Sequence, residues 1–220
     1  MYNTYNKNGF YQRTIKKTEL DTLQEHEYLR GVSCFVIQGG DLVMQVRKKK
    51  KGDADANFKI DTCTEHVEGD EEMNAAMIRG VGEEFGIDKK TAGDMVHLHT
   101  YAVHVPKRKS WKNYILGFYA LEIPENYELK PCEKEIEKLF KLPIADAIKM
   151  CREYEYFPND KNMEIVLENL KRFLQNKNIM IQWNHGKKVQ KNIQQDKQEF
   201  DYNDGAVGNC NGARGLGIDN

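Results

Sequence analysis

Residues 71–87, EEMNAAMIRGVGEEFGI, carry the pattern that most limits how this chain can fold. As a helix from 72 to 85, the segment lines up Met73, Ala76, Met77 and Val81 as an apolar stripe and throws Arg79, Glu83 and Glu84 to the other side. A helix with one apolar stripe needs a second layer to cover it, and the runs before and after it read as strands. Residues 31–37 (GVSCFVI) and 42–46 (LVMQV) are apolar and flank Gly39-Gly40, a pair suited to a two-residue hairpin turn. Residues 95–105 and 113–121 alternate as a second pair of strands, joined by a basic connection over 106–112. The order strands, helix, strands predicts an α/β fold.

From Glu135 the sequence EIEKLFKLPIADAIKM reads as a strand ending before Pro143 and then a short helix. A last helix follows Asp160 as N-cap, with Met163, Val166, Leu167, Leu170, Phe173 and Leu174 spaced for one buried face. These elements set the expected organisation: a polar lead over 1–29, a folded domain over 30–175 and a polar, flexible tail over 176–220. Residues 48–56 are too charged for a core element and read as a loop.

Composition removes several classes of function. Thirty-three Lys and Arg stand against 34 Asp and Glu, so overall charge gives no argument for nucleic acid or an anionic membrane. The basic runs 47–51 and 107–109 sit beside strand ends, where they keep loops solvated or meet a phosphorylated ligand. Five cysteines, odd in number and without a Cys-x-x-Cys pair, indicate neither a disulfide framework nor a zinc site, and a reducing, cytoplasmic setting fits them best. The first residues lack the apolar core of a signal peptide, and no run approaches the roughly 20 apolar residues of a membrane span. His97 and His99 alternate on a strand and are expected on one face with His104 on the other, a half-buried strand surface rather than a metal site.

The acidic side of the helix is the candidate site. Arg79 and Glu83 are four apart and can pair, and positions 80, 83 and 84 lie together at i, i+3 and i+4. Magnesium takes oxygen ligands and is held by a few carboxylates plus water and substrate phosphates, which neighbouring glutamates on an exposed helix supply. The wider pattern resembles the Nudix box, in which a glycine, five residues, a glutamate and seven residues precede Arg-Glu-aliphatic-x-Glu-Glu-x-Gly-aliphatic. Glu71, Arg79, Val81, Glu83, Glu84, Gly86 and Ile87 fall on its places, and Asp61-Thr62 with His66-Val67-Glu68 are similar to the lead-in of several subfamilies.

The resemblance covers about residues 30–174 and implies an α/β/α sandwich with a mixed β-sheet. It implies a magnesium-dependent hydrolase, manganese being possible in magnesium's place, that cleaves a nucleoside diphosphate linked to another moiety. Glu83 and Glu84 are then the metal ligands, Arg79 orients the glutamates with Glu71 as its partner, and Glu135 serves as general base or auxiliary ligand. The partner is a small nucleotide or diphosphate. Two positions depart from the pattern: Gly80 stands where the box has a glutamate, and Glu65 where it has the loop glycine. Glu65 is expected to donate its own carboxylate to the metal. A glutamate at 80 is expected to restore the three-carboxylate face and to remove a helix-interior glycine that costs about 1 kcal/mol relative to alanine. The competing expectation is a Nudix-fold module that binds a nucleotide or a protein without hydrolysing it.

Overall fold

The structure is a computed structural model that describes residues 1–48, 60–105, 112–153 and 161–177, with backbone alone at 60, 61, 104, 105, 112 and 151–153. The chain divides into two units, Met1–Ile181 and Gln182–Asn220, and every described residue lies in the first. The charged loop beyond Lys48, the basic cluster 107–109, Asp160 and the tail beyond Lys177 lie outside the described residues.

The sheet is organised around β3 (Tyr28–Gln38), whose residues from Gly31 to Gln38 are all buried. A strand covered on both faces has no solvated side, which is why this run is largely apolar, its buried Ser33 and Gln38 being hydrogen-bonded. Along one edge β8 (Lys112–Ile123) runs parallel to it over its full length, from Tyr28 opposite Asn113 to Gln38 opposite Ile123. The other edge is shared in turn by three antiparallel strands. These are β1 (Tyr2–Tyr5) near Tyr28, β6 (Cys63–His66) opposite 31–34, and β4 (Asp41–Arg47) at the hairpin. Gly39 and Gly40 have φ of 64° and 85°, the pair of positive values that a type I′ hairpin turn requires. Outer strands complete the sheet: β2 (Tyr11–Ile15) on β1, β5 (Ile60–Asp61) and β9 (Ile136–Pro143) on β4, and β7 (Val96–Val105) on β8.

Helix α1 (Met73–Phe85) covers one face of this sheet. Its Ala76, Met77, Val81 and Phe85 share a core with Val32, Cys34 and Val36 of β3 and with Tyr119 and Leu121 of β8. Gly86, at φ 68°, ends the helix and donates its N–H to Gly82 O at 3.1 Å, and the four-residue α2 (Lys89–Ala92) follows. The alternate residues of β3 and β8 face the other way, where Phe35, Phe118 and Tyr101 stack in a row. On the outer strands lie α3 (Ile144–Glu153), against β4 and β9, and α4 (Lys161–Asn176), against β7 and β8. The layering is α/β/α around a mixed sheet, as expected. Among the described residues no helix is long and apolar enough to cross a membrane.

The N-terminal residues differ from the expected lead. They are polar in composition, yet all four residues of β1 are buried. Tyrosine and threonine are good strand formers, and the polar atoms find partners. Asn3 Nδ2 donates to Gly69 O at 3.0 Å and Asp70 Oδ1 at 2.8 Å, and Thr4 Oγ1 donates to Glu27 Oε1 at 3.1 Å. The histidine pair also differs. His97 is opposite Tyr119 and His99 is opposite Phe118, so a bulge at Leu98 puts the two rings on opposite faces.

Candidate active site

Arg79, on the second turn of α1, is the centre of the polar cluster. Its Nε and Nη2 grip both oxygens of Glu71 at 3.1 and 3.0 Å, a side-on bidentate pair. Nη2 also donates to the carbonyl of His66 at 2.9 Å. Nη1 lies 3.3 Å from Glu65 Oε2 and 3.4 Å from Glu83 Oε2. One guanidinium thus joins the strand β6, the loop before the helix and the helix itself. The Arg79–Glu83 pair is the one expected from spacing, and the Glu71 partnership the one the resemblance implies.

Glu83 and Glu84, adjacent in sequence, have opposite surroundings. The Glu83 side chain is 61% exposed, whereas Glu84 is 7% exposed and accepts a hydrogen bond from Gln45 Nε2 at 3.0 Å. The expectation that both acids project away from the core is corrected here. Glu84 falls in the row Ala76, Gly80, Glu84, all buried, and the small residues of that row let the helix close onto the sheet. Gln45, 1% exposed, also donates to Thr62 O at 2.9 Å and so fixes the carboxylate from β4. It was not foreseen in the sequence; a polar residue on the inward side of an apolar strand, LVMQV, is the signal that was available.

Glu65, expected in a loop, is the third residue of β6, opposite Val32. Its Oε1 accepts the N–H of His66 at 2.7 Å. Glu135 lies in the turn before β9 and takes no part in the Arg79 cluster. That turn is joined to the helix through Cys132, whose N–H donates to Glu84 O at 3.0 Å and whose carbonyl accepts the N–H of Glu135 at 2.9 Å. An aromatic wall not foreseen in the sequence borders the cluster. Tyr2 and His66 have ring centroids 5.5 Å apart, and His66 Nε2 is 3.3 Å from the Tyr114 hydroxyl.

The charges differ in their settings. The hydrogen bonds from Arg79 hold the Glu71 carboxyl below the usual carboxylate range, and in return raise the Arg79 pKa above its ordinary value. Burial pushes the Glu65 carboxyl up, against the opposing effects of the His66 N–H and Arg79. Burial likewise raises Tyr2, helped by the charges of Glu68 and Glu65. By donor chemistry the glutamates suit magnesium, a hard cation that takes oxygen ligands. Among the described residues, however, no three His, Cys, Asp or Glu side chains are grouped as a metal site, because Glu84 is turned to Gln45 while Glu65 and Glu83 meet on Arg79.

A mixed-sheet sandwich with an arginine and glutamate cluster on the helix that caps it defines an α/β domain of the Nudix kind. The NUDIX domain family model matches residues 27–163, and the chain belongs to that family. No curated protein matches it. Among solved structures it is similar to DR0079 from Deinococcus radiodurans, at 15% identity and a TM-score of 0.51, over 69% of this chain and 87% of that one. It is also similar to the NUDIX domain of Shewanella oneidensis NrtR complexed with ADP ribose, at 11% identity and a TM-score of 0.47, over 73% and 99% of the two chains. A C. elegans Ap4A hydrolase binary complex matches at 15% identity and a TM-score of 0.45, over 67% and 98%. At such identities the likeness to DR0079 speaks for the fold alone.

Proposed function

We propose that the chain is a Nudix-type hydrolase that cleaves a nucleoside diphosphate linked to another moiety by attack of water on phosphorus. The observation that carries this reading is the Arg79 cluster, in which one guanidinium holds Glu71 in two hydrogen bonds and draws Glu65 and Glu83 to a single nitrogen. Carboxylates held in place by an arginine are the oxygen ligands that a divalent cation takes, and the cation in turn meets the phosphates.

Magnesium, or manganese in its place, would be held by Glu83 and Glu84. Such an ion, when bound, neutralises phosphate charge and makes water more acidic. The residues of the chain do the rest. Glu83, at the exposed rim, meets the incoming diphosphate side, and Gln45 keeps the Glu84 carboxylate from turning. Glu135 is assigned as the acceptor of the proton that the attacking water loses, the ordinary work of a carboxylate general base.

The test is a screen of nucleoside diphosphate derivatives with and without magnesium, reading phosphate or monophosphate release. Glu84→Gln, which keeps an oxygen for Gln45 to bond, is expected to retain the wild-type melting temperature while turnover falls by on the order of 100-fold. Undiminished turnover in the folded variant would place the working carboxylate elsewhere. A second reading, a module that binds without hydrolysing, is favoured by the inward turn of Glu84. It stands if no derivative is cleaved while a nucleotide still raises the melting temperature of the wild-type chain.

A further inference from the structure

Gly80 sits in the row of α1 that faces the sheet, directly across from Glu65 of β6. A Cβ at position 80 would lie 2.9 Å from Glu65 Cβ and 3.3 Å from both Glu65 Cγ and Met77 Cε. Carbon atoms pack at about 3.5–4.0 Å, so any side chain at 80 would meet the stem of Glu65. The closest contact is to Cβ, which is fixed to the backbone of a paired strand and cannot swing aside as a side-chain tip would. Through this gap Glu65 reaches Arg79 Nη1 at 3.3 Å, while its other oxygen takes the His66 N–H at 2.7 Å. The carbonyl of His66 then takes Arg79 Nη2 at 2.9 Å, closing a loop of contacts between strand and helix.

We propose that positions 65 and 80 have exchanged side-chain volume, so that Glu65, entering from β6 through the gap at Gly80, is a positioning residue that turns Arg79 toward Glu83. The kinetic part of this proposal rests on the hydrolase reading; the exchange itself does not. Two features set it apart from ordinary packing. A glycine in a helix interior is unfavourable by propensity, so its presence here has a local cause. Both oxygens of the Glu65 carboxylate are also engaged, one by the His66 N–H at 2.7 Å and the other beside Arg79 Nη1 at 3.3 Å, which packing alone does not require.

The test is a set of five variants, Gly80→Ala, Gly80→Glu, Glu65→Gly, Glu65→Gln and the double exchange Glu65→Gly with Gly80→Glu. Each is followed by thermal melting and, with magnesium and the best diphosphate substrate, by kcat and KM. Helix propensity alone would make Gly80→Ala more stable; the contact with Glu65 predicts that it and Gly80→Glu melt several degrees lower, at about 2–4 °C per kcal/mol for a domain of this size. The double exchange is expected to recover most of the loss seen in Gly80→Glu, because the new glutamate enters the volume that Glu65 has left. Glu65→Gln keeps the volume, so its melting temperature is expected to hold while kcat falls by on the order of tenfold with KM little changed. Additive melting shifts in the double exchange, or a Gly80→Glu chain as stable as wild type, would overturn the exchange. Wild-type kcat in Glu65→Gln would overturn the positioning role. Should the wild-type chain hydrolyse nothing, the hydrolase reading fails by that result, and the melting comparison alone still decides the exchange.

Discussion

At the scale of single residues, an ion pair that depends on pH lies outside the candidate site. Glu27, 3% exposed, is gripped by Arg13 Nε at 2.6 Å and Nη2 at 2.8 Å, with the Gln24 N–H and Thr4 hydroxyl as further donors. The hydrogen bonds from Arg13 above all hold its carboxyl down at about 2. A depressed carboxylate stabilises the fold fully above its unfolded value, and that stabilisation disappears as pH falls through the folded value. Glu27→Gln is therefore expected to melt several degrees below wild type at neutral pH, with the gap closing as pH falls from about 4 toward 2. Melting curves across that range check it; a gap independent of pH would mean that shape, not charge, matters at this position. The charged residues of the site were legible in the sequence as far as spacing could carry them. Arg79 and Glu83 meet as their i, i+4 spacing suggested, and Glu71 stands beside Arg79 as the resemblance implied. The inward turn of Glu84 was not, because the row that buries it includes Ala76 and Gly80, whose small size hides the approach of the sheet. The same closeness reverses the expectation that a glutamate restored at position 80 would stabilise the chain, since Glu65 already fills that space.

At the scale of elements, strands with an unbroken or alternating apolar pattern were readable, and those held by polar contacts were not. β3, β4, β7 and β8 lie where the pattern put them, within a few residues at each end. The first helix begins one residue after its expected start and ends at Phe85. The bulge at Leu98 left no mark in composition, so the two histidines looked like neighbours on one face when the extra residue parts them. β1 was missed for a different reason: YNTY has little apolar character, and its burial depends on partners far along the chain. Gly69 donates its N–H to Met1 O at 2.9 Å, and Asn3 bonds Gly69 and Asp70, so the first strand braces the loop that leads into α1. Removing residues 1–16 is therefore expected to lower the melting temperature by well over the roughly 2–4 °C that a loss of 1 kcal/mol produces in a domain of this size. An unchanged melting curve for the shortened chain would show that the hairpin rests on the domain without supporting it.

At the scale of the whole molecule, the layered class was readable from element order, while the pairing of the strands was not. Periodicity marks which residues are buried and says nothing of which strand lies beside which. The parallel match of β3 with β8 is the arrangement that no local signal announces. It has a consequence for how the chain acquires its structure. During synthesis the central strand of the sheet, β3, emerges early, and its neighbour along one edge is not made until residues 112–123 appear. Until then that edge has backbone N–H and C=O groups without ladder partners, the condition in which strands associate between molecules. Contacts this far apart in sequence also slow folding, toward the millisecond to second range rather than microseconds. A fragment of residues 1–111 is thus expected to show no cooperative melting and to aggregate at micromolar concentration, whereas the chain carried through β8 and α4 refolds. A fragment that stays monomeric and melts in one sharp transition would mean that the earlier strands close a stable sheet of their own, and that the late strand joins a structure already made.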